Sequence, residues 1–157
     1  MNRKESQQKA HYWEGQVYNT LDKKIPDIKW CWVNQEKEQM GSYDIVGFLP
    51  DSNKTVITID VKWKNKDYIE GVTNFIVDID TLHEKQNHFY IFVYNNRRAL
   101  VFYASQLYRF VKDTKADQII TSHYSDKEAY IYNSENFKVM SYDLSVFQKL
   151  CDALKDK

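Results

Sequence analysis

The spacing of apolar residues predicts that the chain starts with a helix and continues mainly with strands. Within residues 5–22, apolar side chains recur at intervals of three and four and so share one helix face: Ala10, Trp13, Val17 and Leu21. Gly15 lies inside this segment and lowers its helix propensity by roughly 1 kcal/mol relative to alanine. Runs rich in aromatic and β-branched residues then predict five strands, at 28–33, 43–49, 55–63, 88–95 and 99–104.

Turn-forming residues indicate where the chain reverses direction between these strands. "PDSN" at 50–53 connects the second strand to the third, and "NNRR" at 95–98 joins the last two strands as a hairpin. Residues 34–42 form a polar turn. The segment 67–83 contains too many β-branched residues to be assigned as a helix, so strand, loop and short helix all remain open for it.

The region after the strands is predicted to contain two further helices. Ser105 can cap a helix that runs to about Val111, and Asp143 can cap an amphipathic helix at 143–155. The segment 119–140 between them is expected to be irregular. Helices on both sides of a group of strands predict an α/β fold of the layered α+β type, with a central mixed sheet of about five strands.

Length and composition narrow the class of protein. The 157 residues correspond to one domain, spanning 1–157. The 22 basic and 22 acidic residues give a net charge of zero, which argues against a protein that coats nucleic acid through a general positive field. No apolar run approaches the ~18 residues needed to cross a membrane, and the first residues lack the apolar core of a signal peptide.

The cysteines and histidines do not form a recognisable metal or disulfide pattern. Cys31 and Cys151 belong to no Cys-x-x-Cys pair, which favours buried thiols in a reducing, cytoplasmic setting. His83 and His88 are five residues apart, whereas zinc-binding histidines on a helix are four apart. A zinc site is therefore not expected.

Charged residues occur inside two of the most apolar predicted strands. Asp44 lies in "YDIVGF" and Asp60 in "ITIDVKWK", although aspartate is depleted in strands. Because side chains alternate between faces along a strand, Asp60 and Lys62 point to the same side. If the turn is centred near Ser52, the numbers of paired residues sum to about 104, and Asp44 then lies opposite Asp60.

Two carboxylates in opposed strand positions, with Cβ atoms roughly 4.5–5.5 Å apart, repel each other. Protonation of one acid, neutralisation by Lys62 or a bridging divalent cation would each relieve this repulsion. Mg²⁺ suits one or two carboxylates with water and phosphate, and the carbonyl of Val61 could complete its ligands. The alternative is an ordinary charged face exposed to solvent. Glu14, at the edge of the predicted helical stripe, is a third candidate acid, and an exposed rim charge or an intrahelical pair is its alternative.

These residues resemble the PD-(D/E)XK, or restriction-endonuclease-like, phosphodiesterases. The family pattern is an acid on one strand followed, after a variable gap, by (D/E)-x-K on the next, which here reads Asp44 and then Asp60-Val61-Lys62. Many members add a glutamate on the preceding helix, where this sequence has Glu14. Tyrosine rather than the family's proline precedes the first acid.

The resemblance, which spans roughly residues 8–105, implies a metal-dependent nuclease with a restriction-endonuclease-like core. It implies that Asp44 and Asp60 bind Mg²⁺ or Mn²⁺ with help from Glu14, and that Lys62 activates the attacking water and stabilises charge on the phosphate. An endonuclease that acts on DNA as a homodimer, in a restriction, resolvase or repair role, is the first expectation. An RNA-directed nuclease and a catalytically inactive binding or inhibitor protein on the same fold are the alternatives.

A nuclease of zero net charge still needs basic residues along its substrate. The candidates for phosphate contacts are basic side chains on the third strand and in the later turn: Lys64, Lys66, Arg97 and Arg98. For Lys64 and Lys66 the alternative is a charged strand edge that prevents aggregation.

Overall fold

The structure is a computed structural model that describes residues 2–33, 43–49, 54–79, 82–121 and 128–133. This part of the chain contains two helices, α1 (Arg3–Lys24) and α2 (Ala104–Asp113). Its strands are β1 (Lys29–Trp32), β2 (Ile45–Phe48), β3 (Thr55–Lys64), β4 (Phe75–Asp78), β5 (His88–Tyr94), β6 (Ala99–Tyr103), β7 (Gln118–Thr121) and β8 (Glu128–Tyr132).

The main sheet has five strands in the order β1-β2-β3-β5-β6. Neighbouring strands pair antiparallel except β3 and β5, which run parallel. The predicted mixed sheet of about five strands is therefore confirmed, as is the hairpin that joins β5 to β6. Parallel neighbours need a crossover connection, and the chain between β3 and β5 contributes β4 to a second, antiparallel sheet in the order β4-β8-β7.

Helix α1 confirms the first predicted element and extends it at both ends. The predicted stripe is its buried face, since Trp13, Val17 and Leu21 are at most 9% exposed. Gly15 is buried on this helix as well, and a Cβ there would lie 2.8 Å from the ring of Trp32. The glycine that weakens the helix therefore allows α1 to approach β1 closely.

The two helices start differently. Asn2 caps α1, because its side chain accepts a hydrogen bond from the backbone N–H of Glu5 at 2.8 Å. The predicted cap of α2 is wrong. The chain passes directly from β6 into α2 at Ala104, so Ser105 lies inside the first turn, and the capping position is taken by Tyr103 without a side-chain hydrogen bond.

Side chains of the main sheet point alternately into two apolar cores, one on each face. On β3 the residues that join the core beneath α1 are Ile57, Ile59 and Val61. On β5 the residues that join the second core, beside α2 and the second sheet, are Tyr90, Phe92 and Tyr94. Asp60 is the partner of Tyr90 in the β3–β5 ladder. Asp60 and Lys62 therefore lie on the face of the second core, opposite α1.

The second sheet is formed by two segments whose strands were not predicted from the sequence. Residues 67–83, left open between strand, loop and helix, contain β4. Residues 119–140, expected to be irregular, contain β8 and most of β7, which corrects that prediction. Phe75 and Tyr132 are paired across β4 and β8 and are both fully buried, so they anchor the sheet to the second core.

Several predictions lie outside the described residues: the helix at 143–155 with its cap Asp143, Cys151, and the turns at 34–42 and 50–53. Cys31 is on β1 and is half-buried. In the part of the chain that the structure describes, neither helix combines the length and apolar character needed to span a membrane.

Candidate active site

The pairing of β2 with β3 places Asp44 next to Asp60, as the register predicted. Ile45 pairs with Ile59, so the numbers of paired residues sum to 104. Asp44 directly precedes this ladder in the chain, and its backbone N–H donates to the carbonyl of Ile59, the residue before Asp60, at 3.0 Å. The two acids therefore sit where β2 begins.

The carboxylate of Asp44 is half-buried and bonded to the backbone of β3. Its Oδ2 accepts a hydrogen bond from the N–H of Val61 at 2.7 Å. The pKa of Asp44 is raised to about 6, mainly because burial disfavours the charged form. The Val61 hydrogen bond opposes this rise in pKa, the charge of Asp60 adds to it, and Lys62 and His88 act against it. These interactions identify the charged groups that surround Asp44.

Asp60 contacts a histidine that the sequence analysis did not assign to this site. Oδ2 of Asp60 lies 3.2 Å from Nε2 of His88, and Nδ1 of His88 lies 2.7 Å from Oγ1 of Thr58. The side chain of His88 is 1% exposed and that of Asp60 is 18% exposed. His88 starts β5 and pairs with Thr58 across the parallel ladder. A polar residue at the head of the apolar run "HFYIFVY" was the available signal, but it becomes informative only once β3 and β5 are known to be neighbours.

The backbone of Val61 faces the same side of β3 as the carboxylate of Asp44. The N–H and C=O of one strand residue point to the same neighbouring strand. On β3, Ile59 and Val61 point toward β2, because Ile59 accepts from the backbone of Asp44 and Val61 donates to its side chain. The carbonyl of Val61 is therefore directed toward the β2 side of β3, past the last backbone pair of the β2–β3 ladder.

Lys62 is half-buried on the same face as Asp60, two residues further along β3. Its charge favours the ionised form of Asp44. Asp60, Lys62 and His88 therefore all lie near enough to Asp44 to act on its ionisation.

Glu14 is not grouped with the two aspartates. Its carboxylate accepts a hydrogen bond from Nε1 of Trp32 at 3.3 Å, and α1 packs on the face of the main sheet opposite Asp60. Within the described ranges, no three His, Cys, Asp or Glu side chains are arranged to hold a metal ion. The structure thus gives Glu14 a different partner and does not group it with Asp44 and Asp60, and its help in metal binding stays a prediction.

The four candidates for phosphate contacts lie in different surroundings. Lys64 is half-buried with Nζ 5.3 Å from the ring centroid of Phe92, and burial lowers its pKa to about 8. Nζ of Lys66 donates to a backbone carbonyl before β4 at 3.3 Å, and burial lowers its pKa too. Arg97 and Arg98 are exposed in the β5–β6 turn. A backbone hydrogen bond joins that turn to Lys66, so all four lie toward the same end of the sheet.

The oxygen atoms at the site fit a hard divalent cation. Asp44 and Asp60 each have Oδ2 bonded to a protein nitrogen, while no described residue donates to their other oxygen. Together with the carbonyl of Val61, they offer the oxygen ligands that Mg²⁺ and Mn²⁺ prefer. A cation would also offset the two effects that raise the pKa of Asp44, which are chiefly its burial and, to a smaller extent, the charge of Asp60.

Comparison with known proteins supports the fold. No family model matches the sequence, and a comparison with curated proteins found no match. Among solved structures, the fold is similar to that of D212, a nuclease from a fusselovirus, with a TM-score of 0.54 and 10% sequence identity over 99% of this chain and 96% of that chain. A likeness at this identity concerns the fold alone. The chain therefore has a layered α+β fold with a mixed five-stranded sheet, in agreement with the predicted restriction-endonuclease-like core.

Proposed function

We propose that this protein is a metal-dependent nuclease of the PD-(D/E)XK type. The observation that carries the proposal is the convergence of Asp44 and Asp60 from adjacent strands, with Lys62 on the same face. The sequence order of these residues and a fold shared with a nuclease support the same conclusion.

In this proposal, one oxygen each of Asp44 and Asp60, with the carbonyl of Val61, would hold Mg²⁺ or Mn²⁺. When bound, the ion supplies Lewis acidity that activates water and neutralises charge on the phosphate. Lys62 places a positive charge beside the two acids, where its amine orients the attacking water and stabilises the negative charge that develops on the phosphoryl oxygens. The water oxygen would form a new bond to phosphorus as the bond from phosphorus to the leaving sugar oxygen breaks. The proton that the water loses to solvent is balanced by the proton that the leaving oxygen takes up from solvent.

We propose DNA as the substrate and an endonuclease as the activity, with RNA as the alternative. The basic residues beyond the end of β3 would neutralise backbone phosphates without reading sequence. They are Lys66, which follows β3, and Arg97 and Arg98 in the β5–β6 turn that is hydrogen-bonded to Lys66. A homodimer would provide two sites for cutting two strands. Sedimentation analysis with and without a DNA duplex tests the dimer, and a monomer under both conditions would contradict it.

A cleavage assay tests the proposed activity. Plasmid, branched DNA and RNA are incubated with the protein in Mg²⁺, in Mn²⁺ or in EDTA, together with the variants Asp60→Asn and Lys62→Ala. Lys112→Ala is the matched control, because Lys112 is exposed on α2 and belongs to no part of the site. We expect metal-dependent cleavage by the natural protein and the control, and a loss of at least about 100-fold in both site variants.

Cleavage that persists in Asp60→Asn or in EDTA would contradict the proposed site. Binding without cleavage of any substrate, unchanged in both site variants, would instead identify the chain as an inactive binding protein on this fold. That alternative is favoured by one observation: the third acid, Glu14, is bonded to Trp32 rather than grouped with the other two.

A further inference from the structure

We propose that His88 is a positioning residue that holds one oxygen of Asp60 and thereby directs the other toward Asp44. The inference rests on the proposed function, because it concerns how the metal-binding oxygens are oriented. It adds a residue that the D…D-x-K pattern does not contain.

The imidazole of His88 is fixed through both of its nitrogen atoms. Nδ1 lies 2.7 Å from Oγ1 of Thr58, and Nε2 lies 3.2 Å from Oδ2 of Asp60. The ring is buried between two tyrosines, with centroid distances of 5.4 Å to Tyr43 and 4.9 Å to Tyr90. The two hydrogen bonds and the two ring contacts together restrain the orientation of the imidazole.

The chemistry of the partners sets the direction of the bond to Asp60. A carboxylate only accepts hydrogen bonds, so Nε2 must carry the hydrogen that it shares with Oδ2. The hydroxyl of Thr58 can either donate to Nδ1 or accept from it, so it supports this arrangement in both cases. Thr58 and His88 are direct partners in the parallel ladder, so the backbone itself brings the hydroxyl to the ring.

The two acids are then held in equivalent ways. The N–H of Val61 binds Oδ2 of Asp44, and Nε2 of His88 binds Oδ2 of Asp60. Each carboxylate is restrained from turning away from its neighbour, and each keeps one oxygen to which no described residue donates. Partners that orient metal ligands in this way typically change metal affinity by about 10–100-fold when they are removed.

The competing explanation is that His88 is simply a well-packed core residue. The two explanations differ in their prediction for Nε2: only the positioning role requires a hydrogen-bond donor at Nε2 for metal binding. Glutamine places its amide nitrogen near the position of Nε2 and can still donate to Asp60. Asparagine is shorter, so it places its amide near Nδ1, keeps the contact with Thr58 and leaves Asp60 without its donor.

The test is Mn²⁺ binding to the full chain, measured by calorimetry for the natural protein, His88→Gln and His88→Asn. We expect His88→Gln to bind Mn²⁺ within about 3-fold of the natural protein and His88→Asn to bind about 10–100-fold more weakly. Thermal unfolding of both variants in EDTA reports their stability separately. Equal Mn²⁺ affinities in the two variants would overturn the proposal, whatever their stability.

A second measurement separates failure of this inference from failure of the proposed function. Nitrogen-15 NMR of the metal-free protein reports which imidazole nitrogen of His88 carries hydrogen. We expect a protonated Nε2 whose resonance shifts in Asp60→Asn and not in the control Lys112→Ala. A bare Nε2 would overturn the positioning role. Absence of Mn²⁺ binding by the natural protein, with Nε2 protonated and bonded to Asp60, would instead contradict the proposed metal-dependent function.

Discussion

At the scale of single residues, the ionised form of Asp44 destabilises the metal-free protein. Its pKa is about 6 in the folded state, against about 3.9 in an unfolded chain. The folded state therefore binds more protons between these values, and the stability that this group contributes is lost as pH rises from about 4 to about 6. The same charge that would attract a cation costs stability when no cation is bound.

Asp44→Asn removes this charge and keeps an oxygen that can accept from Val61. In EDTA at about pH 7.5, we expect it to raise the free energy of unfolding by about 1–3 kcal/mol, with the gain disappearing near pH 4. Urea unfolding across this pH range measures the gain. Asp67→Asn, at an exposed position, is the control and should show no such pH dependence. A gain that does not vary with pH would show that the charge of Asp44 is not its cause.

Lys64 carries a positive charge, and burying this charge also lowers the stability of the folded protein. Burial against Phe92 lowers its pKa to about 8, so the unfolded chain binds more protons between about 8 and 10.4, and stability rises with pH over that interval. We expect Lys64→Met to be more stable than the natural protein by about 1–3 kcal/mol at pH 7, and the difference to shrink toward pH 10. Urea unfolding at both pH values measures it, with Lys112→Met as the exposed control. A loss of stability at pH 7 would be the contradicting result.

At the scale of elements, α1 depends on close contact with β1. A Cβ at Gly15 would meet the ring of Trp32 at 2.8 Å, and that ring is held by its hydrogen bond to Glu14. We expect Gly15→Ala to lose about 1–3 kcal/mol of stability through overpacking, which outweighs the helix propensity of roughly 1 kcal/mol that it gains. Asn19→Ala, exposed on the same helix, should gain up to about 0.5 kcal/mol. Chemical denaturation compares the two, and a more stable Gly15→Ala would indicate that α1 can move away from β1.

Most elements with one strongly buried face could be predicted from the sequence, and the exposed strand β7 could not. Helix α1 and the five main-sheet strands carry regular apolar residues that enter the two cores. Strand β7 has the opposite character, since three of its four residues are exposed and Ile119 is 56% exposed. A strand that buries so little leaves no clear periodicity, which is why β7 was not predicted. Strand β4 does alternate buried and half-buried residues, but it is only four residues long.

At the scale of the whole molecule, contacts between β2 and β3 could be predicted from the sequence. Contacts between β3 and β5, which are joined by a long crossover connection, could not. The register of β2 and β3 followed from the position of their turn, since Ile45 pairs with Ile59 as predicted, and Asp44 lies near enough to Asp60 for that charge to raise its pKa. His88 reaches Asp60 only because β5 lies parallel to β3, and this pairing depends on the whole path of the chain between them. Helical spacing placed Glu14 at the edge of a buried stripe but did not indicate that α1 covers the other face.

If the site binds a cation, the stability of the whole molecule becomes linked to metal concentration. We expect Mn²⁺ at about 100 times its dissociation constant to raise the free energy of unfolding by about 2.7 kcal/mol. EDTA should reverse the effect, Asp60→Asn should abolish it, and Lys112→Ala should retain it. Thermal unfolding over a Mn²⁺ titration measures the shift. An equal shift in Asp60→Asn would place the metal elsewhere on the molecule.

Anomalous diffraction from crystals of the protein grown with Mn²⁺ locates the ion itself. We predict a single strong peak at roughly 2.0–2.3 Å from one oxygen of Asp44 and one oxygen of Asp60, on the side of the Val61 carbonyl. A peak that contacts only one of the two acids, or well-ordered carboxylates with no peak between them, would contradict the proposed metal site.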